Sequence, residues 1–359
     1  MKKVLLLCAL AALPVGAQET GIAIVGLVHS HVWGYLEKIA KGQTPAKLVA
    51  VSEPNPELVA EGRKAIGPDV PVYSDYKKML DEKKPAIVWA FVENNRHLEI
   101  VQACAPRKIH VIFEKPLAST YKDALAIQAL AKKHGIRVMT NYQMAWWPAN
   151  YTAKAQADAG VVGKVWRLHG IVGHGGPSGP GWDSPRNKFF RVWLTDPVAN
   201  GAGSLMDFGC YNALWSLWYL GKPETVYATV NHLRPELYPK VEDNADLLLH
   251  YKNGVGIFEG SWDLPAGYQD LEVFGLDGSL YMKEGSVALR KRGKSEQVAL
   301  AALEPARSNP VAYMVDAVRN NKELDGPVAL GINVDVVEII EAAKQSVATG
   351  RAIKLPLGR

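Results

Sequence analysis

Short apolar runs alternate with amphipathic stretches along residues 20–141. Six runs are rich in β-branched and other apolar residues, at 21–25, 47–51, 70–73, 86–90, 109–113 and 136–139. Segments with helical periodicity lie between them, among them Pro56–Ile66, 97–105 and Tyr121–His134. Near-continuous apolar strands that alternate with helices form a parallel sheet covered on both faces. The sequence therefore predicts a doubly wound α/β domain at 18–143, with its ligand site at the carboxyl ends of the strands.

The second half has the pattern of an α+β domain, at 144–330. A helix is predicted at 149–159, and strand-like runs follow at 164–172, 225–232, 245–251, Gly254–Ser261, 269–274, 279–282 and Ser286–Lys291. Turn residues at 252–254 and 276–278 connect neighbouring runs, as antiparallel hairpins require. We expect a largely antiparallel open sheet, with one face covered by a helix after Asp207. A further helix at 334–349 ends at Gly350 and belongs to a C-terminal segment, 331–359.

Residues 1–17 have the pattern of an export signal. Met1-Lys2-Lys3 is basic, an apolar run follows at 4–13, and small residues at 15–17 suit cleavage before Gln18. No twin arginine precedes the apolar run, and no lipid-attachment motif surrounds Cys8. We therefore expect a periplasmic or secreted protein without membrane contact after signal cleavage. The alternative is a buried N-terminal strand or helix.

The first predicted strand ends at Gly26, in a loop that partly matches a dinucleotide fingerprint. The fingerprint requires glycines at 26, 28 and 31, and this chain has Val28 and His31 at the last two positions. The helix that begins near Val32 still offers free N–H groups to a phosphate. Glu53, at the end of the second strand, is suited to accept hydrogen bonds from a ribose diol and to repel a 2′-phosphate. This favours NAD over NADP as cofactor; a surface loop acid is the alternative for Glu53.

Two histidines, His29 and His31, flank Ser30 in the same loop. Their spacing permits a metal pair, but no third ligand with supporting spacing is evident, so no metal site is predicted. We expect His29, Ser30 and His31 to cap the helix or to contact the phosphates of the cofactor. Plain packing is the remaining interpretation.

Three motifs follow in order along the chain: Asn94-Asn95-Arg96-His97, Glu114-Lys115-Pro116-Leu117-Ala118 and Gly201-Ala202-Gly203-Ser204-Leu205-Met206-Asp207-Phe208-Gly209-Cys210-Tyr211. With them the chain resembles the glucose–fructose oxidoreductase, inositol dehydrogenase and rhizopine-catabolism family (Gfo/Idh/MocA). The resemblance implies a Rossmann-type first domain, a nicotinamide cofactor, a C-terminal segment that returns to that domain, and a homodimer or homotetramer formed through the open sheet. It places Lys115 beside the nicotinamide, and Asn94, His97 and Glu114 near the cofactor.

Lys115, Asp207 and Tyr211 have side chains that suit oxidation of a secondary alcohol. Many family members have histidine at the position of Tyr211, and the tyrosine resembles the glucose–fructose oxidoreductase and dihydrodiol dehydrogenase branches. A tyrosine has a pKa of about 10 and is a poor base, but an ammonium about 4–6 Å away lowers that pKa. We expect Lys115 to do so, and Asp207 to share a helical face with Tyr211. Which of Lys115 and Tyr211 takes the proton stays open; a solvated Lys115, a helix-capping Asp207 and a core Tyr211 are the structural alternatives.

Aromatic and polar side chains near the junction of the two halves suit a sugar ring. The glycine- and proline-rich loop at 170–203 is long enough to be functional. The predicted substrate contacts are Lys115, Tyr142, Trp147, Trp182, Arg191 and Asp207. For each tryptophan, the core or an interface is the alternative.

The function predicted is that of an exported NAD(P)-dependent oxidoreductase, which transfers hydride between a carbinol carbon of a carbohydrate or polyol and the nicotinamide. One alternative is a redox-assisted glycoside hydrolase or lyase that acts through a keto-sugar intermediate and recycles NAD. Another is a non-catalytic sugar or nucleotide binder. The 359 residues include 41 Lys and Arg against 36 Asp and Glu, without a basic stripe interleaved with aromatics, so no nucleic-acid partner is expected.

Overall fold

A six-stranded parallel sheet forms the first half of the chain in the computed structural model, which describes residues 19–358. The predicted export signal lies outside the described residues. The strands are β1 (Thr20–Val25), β2 (Ala46–Ser52), β3 (Val72–Tyr73), β4 (Ile87–Ala90), β5 (His110–Glu114) and β6 (Val138–Asn141). Their order, β3-β2-β1-β4-β5-β6, is that of a dinucleotide-binding sheet. The predicted parallel sheet is confirmed.

Five helices accompany this sheet: α1 (Val32–Ala40), α2 (Pro56–Ile66), α3 (Tyr76–Lys83), α4 (His97–Cys104) and α5 (Tyr121–His134). Local capping fixes the ends of the two helices whose predicted bounds match the structure. The Asn55 side chain accepts a hydrogen bond from the N–H of Glu57 at the start of α2. Thr120 caps α5 through the N–H of Asp123, and Gly135, with φ of 63°, ends it.

A nine-stranded mixed sheet forms the second half. Its strands are β7 (Val165–Gly173), β8 (Thr225–Asn231), β9 (Asn244–Tyr251), β10 (Gly254–Ser261), β11 (Tyr268–Gly275), β12 (Ser279–Lys283), β13 (Ser286–Lys291), β14 (Lys294–Gln297) and β15 (Ile353–Lys354). Their order is β14-β13-β12-β11-β7-β10-β9-β8-β15, and β7 runs parallel to β10. The other described pairings in this sheet are antiparallel, as predicted. The polar β14 and the two-residue β15 are not evident from the sequence.

The remaining helices are α6 (Pro148–Asp158), α7 (Lys188–Leu194), α8 (Ser204–Asp207), α9 (Gly209–Leu220), α10 (Pro310–Arg319) and α11 (Leu330–Thr349). Helix α9 packs on β7 and β10 and covers one face of the mixed sheet. Helix α7 lies within the segment expected to be a continuous loop, so that expectation is wrong for seven residues. Within residues 19–358, no helix is both long and apolar enough to cross a bilayer.

Helix α11 connects the two halves. Its Val334 and Val337 pack into the apolar core beneath α5, and Lys344 Nζ donates to the carbonyl of Ser119, 3.2 Å away, just before that helix. On the other side, Ser346 Oγ accepts the N–H of Ala228 in β8 at 3.0 Å. The helix therefore belongs to the packing of both sheets.

Candidate active site

An ion pair between the two halves lies at the carboxyl edge of the parallel sheet. Lys115 follows β5, and its ammonium contacts Asp207 Oδ1 and donates to the Asp207 carbonyl at 2.9 Å. Trp262 Nε1 donates to the other carboxylate oxygen, Oδ2, at 2.9 Å. Lys115 and Asp207 are only 7% and 6% exposed. Their charges are therefore paired inside the protein, where the partner of each is most important.

Burial and pairing act in opposite directions on the pKa values of this pair. Burial alone lowers the pKa of Lys115, but the Asp207 carboxylate outweighs it and the net pKa is raised. Burial raises the pKa of Asp207, and the Lys115 ammonium more than offsets this, so the net pKa is lowered. At neutral pH the pair therefore consists of an ammonium and a carboxylate.

The short segment before Asp207 is fixed by a distant carboxylate. One oxygen of Glu242 accepts the N–H groups of Gly203 at 2.7 Å and of Leu205 at 3.0 Å. A Cβ at position 203 would collide with the Glu242 carbonyl, so glycine is required there. These hydrogen bonds fix the position of α8, whose last residue, Asp207, contacts Lys115.

Tyr211 lies beside the Lys115 ammonium as predicted, but its pKa is not lowered as predicted. Lys115 Nζ lies 5.3 Å from the centroid of the Tyr211 ring, and Tyr142 packs edge-on against the same ring at 5.1 Å. Burial raises the pKa of Tyr211 more than Lys115 lowers it, and the net pKa is raised. The expectation of a phenol tuned toward neutral pH is therefore wrong, because burial disfavours the phenolate more than the Lys115 ammonium favours it.

Asp207 and Tyr211 do not share one continuous helical face. Asp207 is the last residue of α8, Tyr211 lies in the first turn of α9, and Phe208 breaks the helix between them with φ of −109°. The prediction of a common helix, and the alternative of Asp207 as a helix cap, are both wrong. Both side chains nevertheless contact Lys115.

His174, which sequence reasoning did not assign, rims a cavity of about 280 Å³ beside this pair. Trp147 and Phe208 line the same cavity, so Trp147 lies where a substrate contact was predicted. His174 Nδ1 accepts the N–H of Gly176 at 2.9 Å, which leaves Nε2 to carry the proton of the neutral ring. Burial, followed by the nearby Asp207 and Lys115 charges, determines the pKa of His174, and the net pKa is lowered.

Three of the predicted substrate contacts, Tyr142, Trp182 and Arg191, do not line this cavity. Tyr142 is fully buried beneath Tyr211. Trp182 stacks on Phe190 at the start of α7, and Arg191 pairs with Asp183 at 2.8 Å. Tyr142 packs against Tyr211, and the other two stabilise the segment around α7; their contact with substrate stays a prediction.

A second cavity, of about 630 Å³, lies at the carboxyl ends of β1, β2 and β4. Gly26 and Glu53 line it, as expected of cofactor contacts. Gly26 has φ of 81°, and a Cβ there would lie 2.6 Å from the Val92 side chain. The Glu53 carboxylate accepts the N–H groups of Leu27 at 2.7 Å and Asn55 at 2.8 Å, so it also shapes the loop. Glu53 is thus a buried loop acid and not a surface one.

Asn94 and His97 are buried behind this edge. Asn94 donates to the Asn200 side-chain oxygen at 2.8 Å. His97 stacks on Phe113, and its Nδ1–H donates to the Leu117 carbonyl at 3.0 Å. Asn94 therefore fixes the Asn200 segment and His97 fixes the backbone just after Lys115, and their predicted contact with a cofactor stays a prediction.

The loop after β1 meets the end of β5. His31 Nδ1 lies 3.0 Å from Glu114 Oε2, and the side chain of His29 contacts the rings of Phe190 and Trp193 from the other half, with centroids 4.4 and 5.5 Å away. His31 makes no side-chain cap for α1, and the half-buried Ser30 lies between the two histidines. Glu114 is the third potential ligand that the sequence analysis did not find.

Two family models match the chain over most of its length. An oxidoreductase family with an NAD-binding Rossmann fold matches residues 20–142, and the Gfo/Idh/MocA C-terminal domain matches residues 151–281. The chain belongs to the Gfo/Idh/MocA family. The predicted recognition is confirmed, and NAD is the cofactor of this oxidoreductase fold.

Individual Gfo/Idh/MocA relatives are distant but extend along the whole chain. Levoglucosan dehydrogenase of Pseudarthrobacter phenanthrenivorans is 26% identical over 312 residues, 81% of this chain and 78% of the relative. Myo-inositol 2-dehydrogenase of Thermotoga maritima is 23% identical over 346 residues, 93% and 97% of the two chains. The crystal structure of an inositol dehydrogenase homolog complexed with NAD⁺ from Azotobacter vinelandii has a TM-score of 0.79 at 21% identity, covering 94% of this chain and 98% of that one. This last likeness concerns the fold.

The second cavity fits the cofactor of a Gfo/Idh/MocA oxidoreductase. It lies where parallel sheets of this order bind dinucleotides. The Val32 N–H at the start of α1 donates to the His29 carbonyl, and the His31 side chain makes no cap, so the dipole of this helix end still favours a phosphate. Glu53 lines the cavity with a carboxylate suited to ribose hydroxyls. Gly26, Glu53 and the N-terminus of α1 are therefore the groups that would hold NAD.

The buried imidazole of His97 makes stability depend on pH. Burial lowers the pKa of His97 to about 4, whereas an unfolded histidine has a pKa of about 6.5. The unfolded chain thus binds a proton that the folded chain excludes, and stability falls by about 3 kcal/mol as the pH drops from about 6.5 to about 4. We expect His97→Gln to remove about one proton from the pH slope of the free energy of unfolding, measured by urea unfolding. The exposed His232→Gln is the control, and an unchanged slope in the His97 variant would contradict the assignment.

Proposed function

We propose that this protein interconverts a carbinol and a carbonyl carbon of a carbohydrate or polyol, with NAD as the hydride carrier. The buried Lys115–Asp207 pair beside Tyr211 carries the proposal, since it places a fixed positive charge at the edge where the cofactor cavity lies. Dehydrogenase relatives named for levoglucosan and myo-inositol support the substrate class.

NAD supplies the hydride acceptor when it is bound. Lys115 stabilises the negative charge that develops on the substrate oxygen, and it does so in a water-poor pocket where such charges interact strongly. Asp207 keeps the ammonium charged and oriented. Because its pKa is raised, Lys115 remains an ammonium. In the reductive direction it gives a proton to the carbonyl oxygen as hydride reaches the carbon, and in the oxidative direction the neutral amine takes that proton back. Tyr211, with its raised pKa, acts as a hydrogen-bond donor to the same oxygen.

The test is a screen of the purified protein against free sugars, polyols and glycosides. The proposal predicts steady NADH production with a free sugar or polyol. Glycoside cleavage without net NADH would instead support the redox-assisted hydrolase or lyase. A protein with no bound nucleotide and no increase of Tm with NAD would be a non-catalytic binder, and the proposal would fail.

Glu53 is expected to select NAD over NADP. The carboxylate lines the cofactor cavity and would repel a 2′-phosphate. Glu53→Gln removes the charge and keeps one oxygen, which can accept only one of the two N–H groups that the carboxylate accepts from Leu27 and Asn55. We expect the ratio of kcat/KM for NAD to that for NADP to fall about tenfold, equivalent to about 1.4 kcal/mol. Glu57→Gln on the exposed side of α2 should leave the ratio unchanged; a wild-type preference for NADP would refute the assignment.

We also propose that the outer face of the mixed sheet forms a homodimer. Strand register aligns Ile257, Leu248 and Tyr227 in one row across β10, β9 and β8. Leu248 and Tyr227 are 43% and 37% exposed, and apolar sheet faces of this kind mark interfaces. Light scattering is expected to give the mass of a dimer or tetramer for the wild type and of a monomer for Leu248→Glu. Leu276→Glu, at the exposed β11–β12 turn, is the control, and a monomeric wild type would overturn the proposal.

Export remains a proposal that rests on residues 1–17. The basic start, the apolar run and the small residues before Gln18 support a periplasmic or secreted location. Amino-terminal sequencing of the protein from a fractionated producing cell tests it. A mature chain that begins at Gln18 is expected, and a cytoplasmic chain that retains Met1 would overturn it.

A further inference from the structure

Three potential metal ligands converge from two strand ends that lie far apart in the sequence. His29 and His31 belong to the loop after β1, and Glu114 is the last residue of β5. One ligand atom from each lies within 4.8 Å of the others. His29 and Glu114 are each 1% exposed, and His31 is half-buried. Within residues 19–358, this is the one group of three or more His, Cys, Asp or Glu side chains with such a geometry.

The distances match those between ligands of one transition-metal ion. Two ligands about 2.1 Å from an ion and at right angles to each other lie about 3.0 Å apart. His31 Nδ1 and Glu114 Oε2 are 3.0 Å apart. The rings of His29 and His31 have centroids 4.5 Å apart, and one ligand atom of each lies within 4.8 Å of the others in the set.

Glu114 is oriented by residues behind it, as the carboxylate ligands of metal sites are. Its second oxygen, Oε1, accepts the side-chain N–H of Asn141 at 2.8 Å. Asn141 Oδ1 in turn accepts Trp146 Nε1–H at 2.7 Å. These two hydrogen bonds fix the orientation of the carboxylate and so keep Glu114 Oε2 directed at His31.

The surroundings permit a cation despite the nearby ammonium. Lys115 is paired with Asp207. The Glu114 carboxylate is therefore not paired with that lysine and can bind a cation. Phe190 and Trp193 cover His29, while the half-buried His31 provides a route of entry. Two imidazoles with one carboxylate select Zn²⁺, Fe²⁺ or Co²⁺ over Mg²⁺ and Ca²⁺, which prefer oxygen ligands.

We propose that His29, His31 and Glu114 bind one divalent transition-metal ion, whose remaining positions are filled by water or by a ligand oxygen. The site does not depend on the proposed reaction, because it stands on the geometry of these three side chains. A cation in the loop after β1 also attracts phosphate oxygens, so it is compatible with a dinucleotide at this edge.

Metal stoichiometry of the full chain, purified without a histidine tag, tests the proposal. The protein is stripped with a chelator, dialysed, loaded with Zn²⁺ or Co²⁺ and analysed by mass spectrometry of the metal and by the visible absorption of Co²⁺. We expect about one ion per folded chain, visible bands from bound Co²⁺ and an increase of Tm on loading. His31→Ala and Glu114→Gln are each expected to weaken binding by at least about tenfold.

A matched control separates a built site from nonspecific binding. His169 Nε2 and Glu259 Oε1 also lie 3.0 Å apart, on the outer face of the mixed sheet, without a third ligand. His169→Gln should leave the stoichiometry and the Co²⁺ spectrum unchanged. Circular dichroism establishes that each variant is folded. A wild-type chain that retains far less than one ion, or a folded His31→Ala variant that binds as the wild type does, would overturn the proposal.

Discussion

Lys115→Met is expected to lower kcat by about 10³- to 10⁴-fold, with little change in the affinity for NAD. The substitution removes both the charge that stabilises the substrate oxygen and the proton donor of the reductive direction. The ammonium it removes is the buried group paired with Asp207 and facing the Tyr211 ring. Initial rates in both directions, with NAD binding measured separately by fluorescence titration, give the two quantities.

Lys122→Met provides the control for this substitution, because Lys122 is exposed on α5. That variant should retain the wild-type kcat. A Lys115→Met enzyme that turns over at the wild-type rate would remove Lys115 from the mechanism. A loss of NAD binding with kcat unchanged would instead assign Lys115 to the cofactor site alone.

The Lys115–Asp207 ion pair is expected to show a large coupling energy in the free energy of unfolding. Removing one partner of a buried pair costs about 3–5 kcal/mol, since the other charge is left without compensation. Lys115→Met and Asp207→Asn should each destabilise the protein by about this amount. The double variant should be more stable than the sum of the single effects by about 2–3 kcal/mol. Urea unfolding of all four proteins at pH 7 measures the coupling.

The pKa shifts of Lys115 and Asp207 determine the pH at which the coupling should be measured. The pKa of Asp207 is lowered on folding, so its contribution is present above the unfolded value of about 3.9 and is lost at lower pH. The pKa of Lys115 is raised, so its contribution is present below about 10.4 and is lost as the pH rises further. At neutral pH both residues are charged, and unfolding measured there includes the full contribution of the pair to stability.

An exposed pair serves as the comparison for the cycle. Lys41 Nζ and Glu37 Oε1 lie 2.6 Å apart on α1, with both side chains more than half exposed. Their coupling should be much smaller than that of the buried pair, because water screens the charges. Additive effects of Lys115→Met and Asp207→Asn would mean that the buried pair contributes no more than this surface pair.

Local signals predicted the parallel sheet and the ends of two helices, since those depend on nearby residues. Asn55 begins α2, and Thr120 and Gly135 bound α5, all within a few residues of the helices they define. The site required longer connections. The end of α8 is set by Glu242, whose role is visible only once β9 lies beside that helix.

The pKa of Tyr211 and the contact between Glu114 and His31 were not predicted, because both depend on how distant segments pack in the fold. The pKa of Tyr211 depends on how much water reaches it, and neither the spacing from Asp207 nor the presence of Lys115 reveals that burial. Glu114 joins His31 across 83 positions of sequence. The topology of a parallel sheet brings the ends of β1 and β5 to one edge, so this contact could have been inferred from the predicted strands.

Helix α11 has a consequence for how the chain matures. Its residues complete the packing against Ser119 and α5 on one side and against Ala228 in β8 on the other. Domains commonly fold in order during synthesis, the amino-terminal one first. Here a helix that follows both domains in the sequence supplies part of the packing of both sheets. Neither half can therefore complete its interior until α11 has been synthesised.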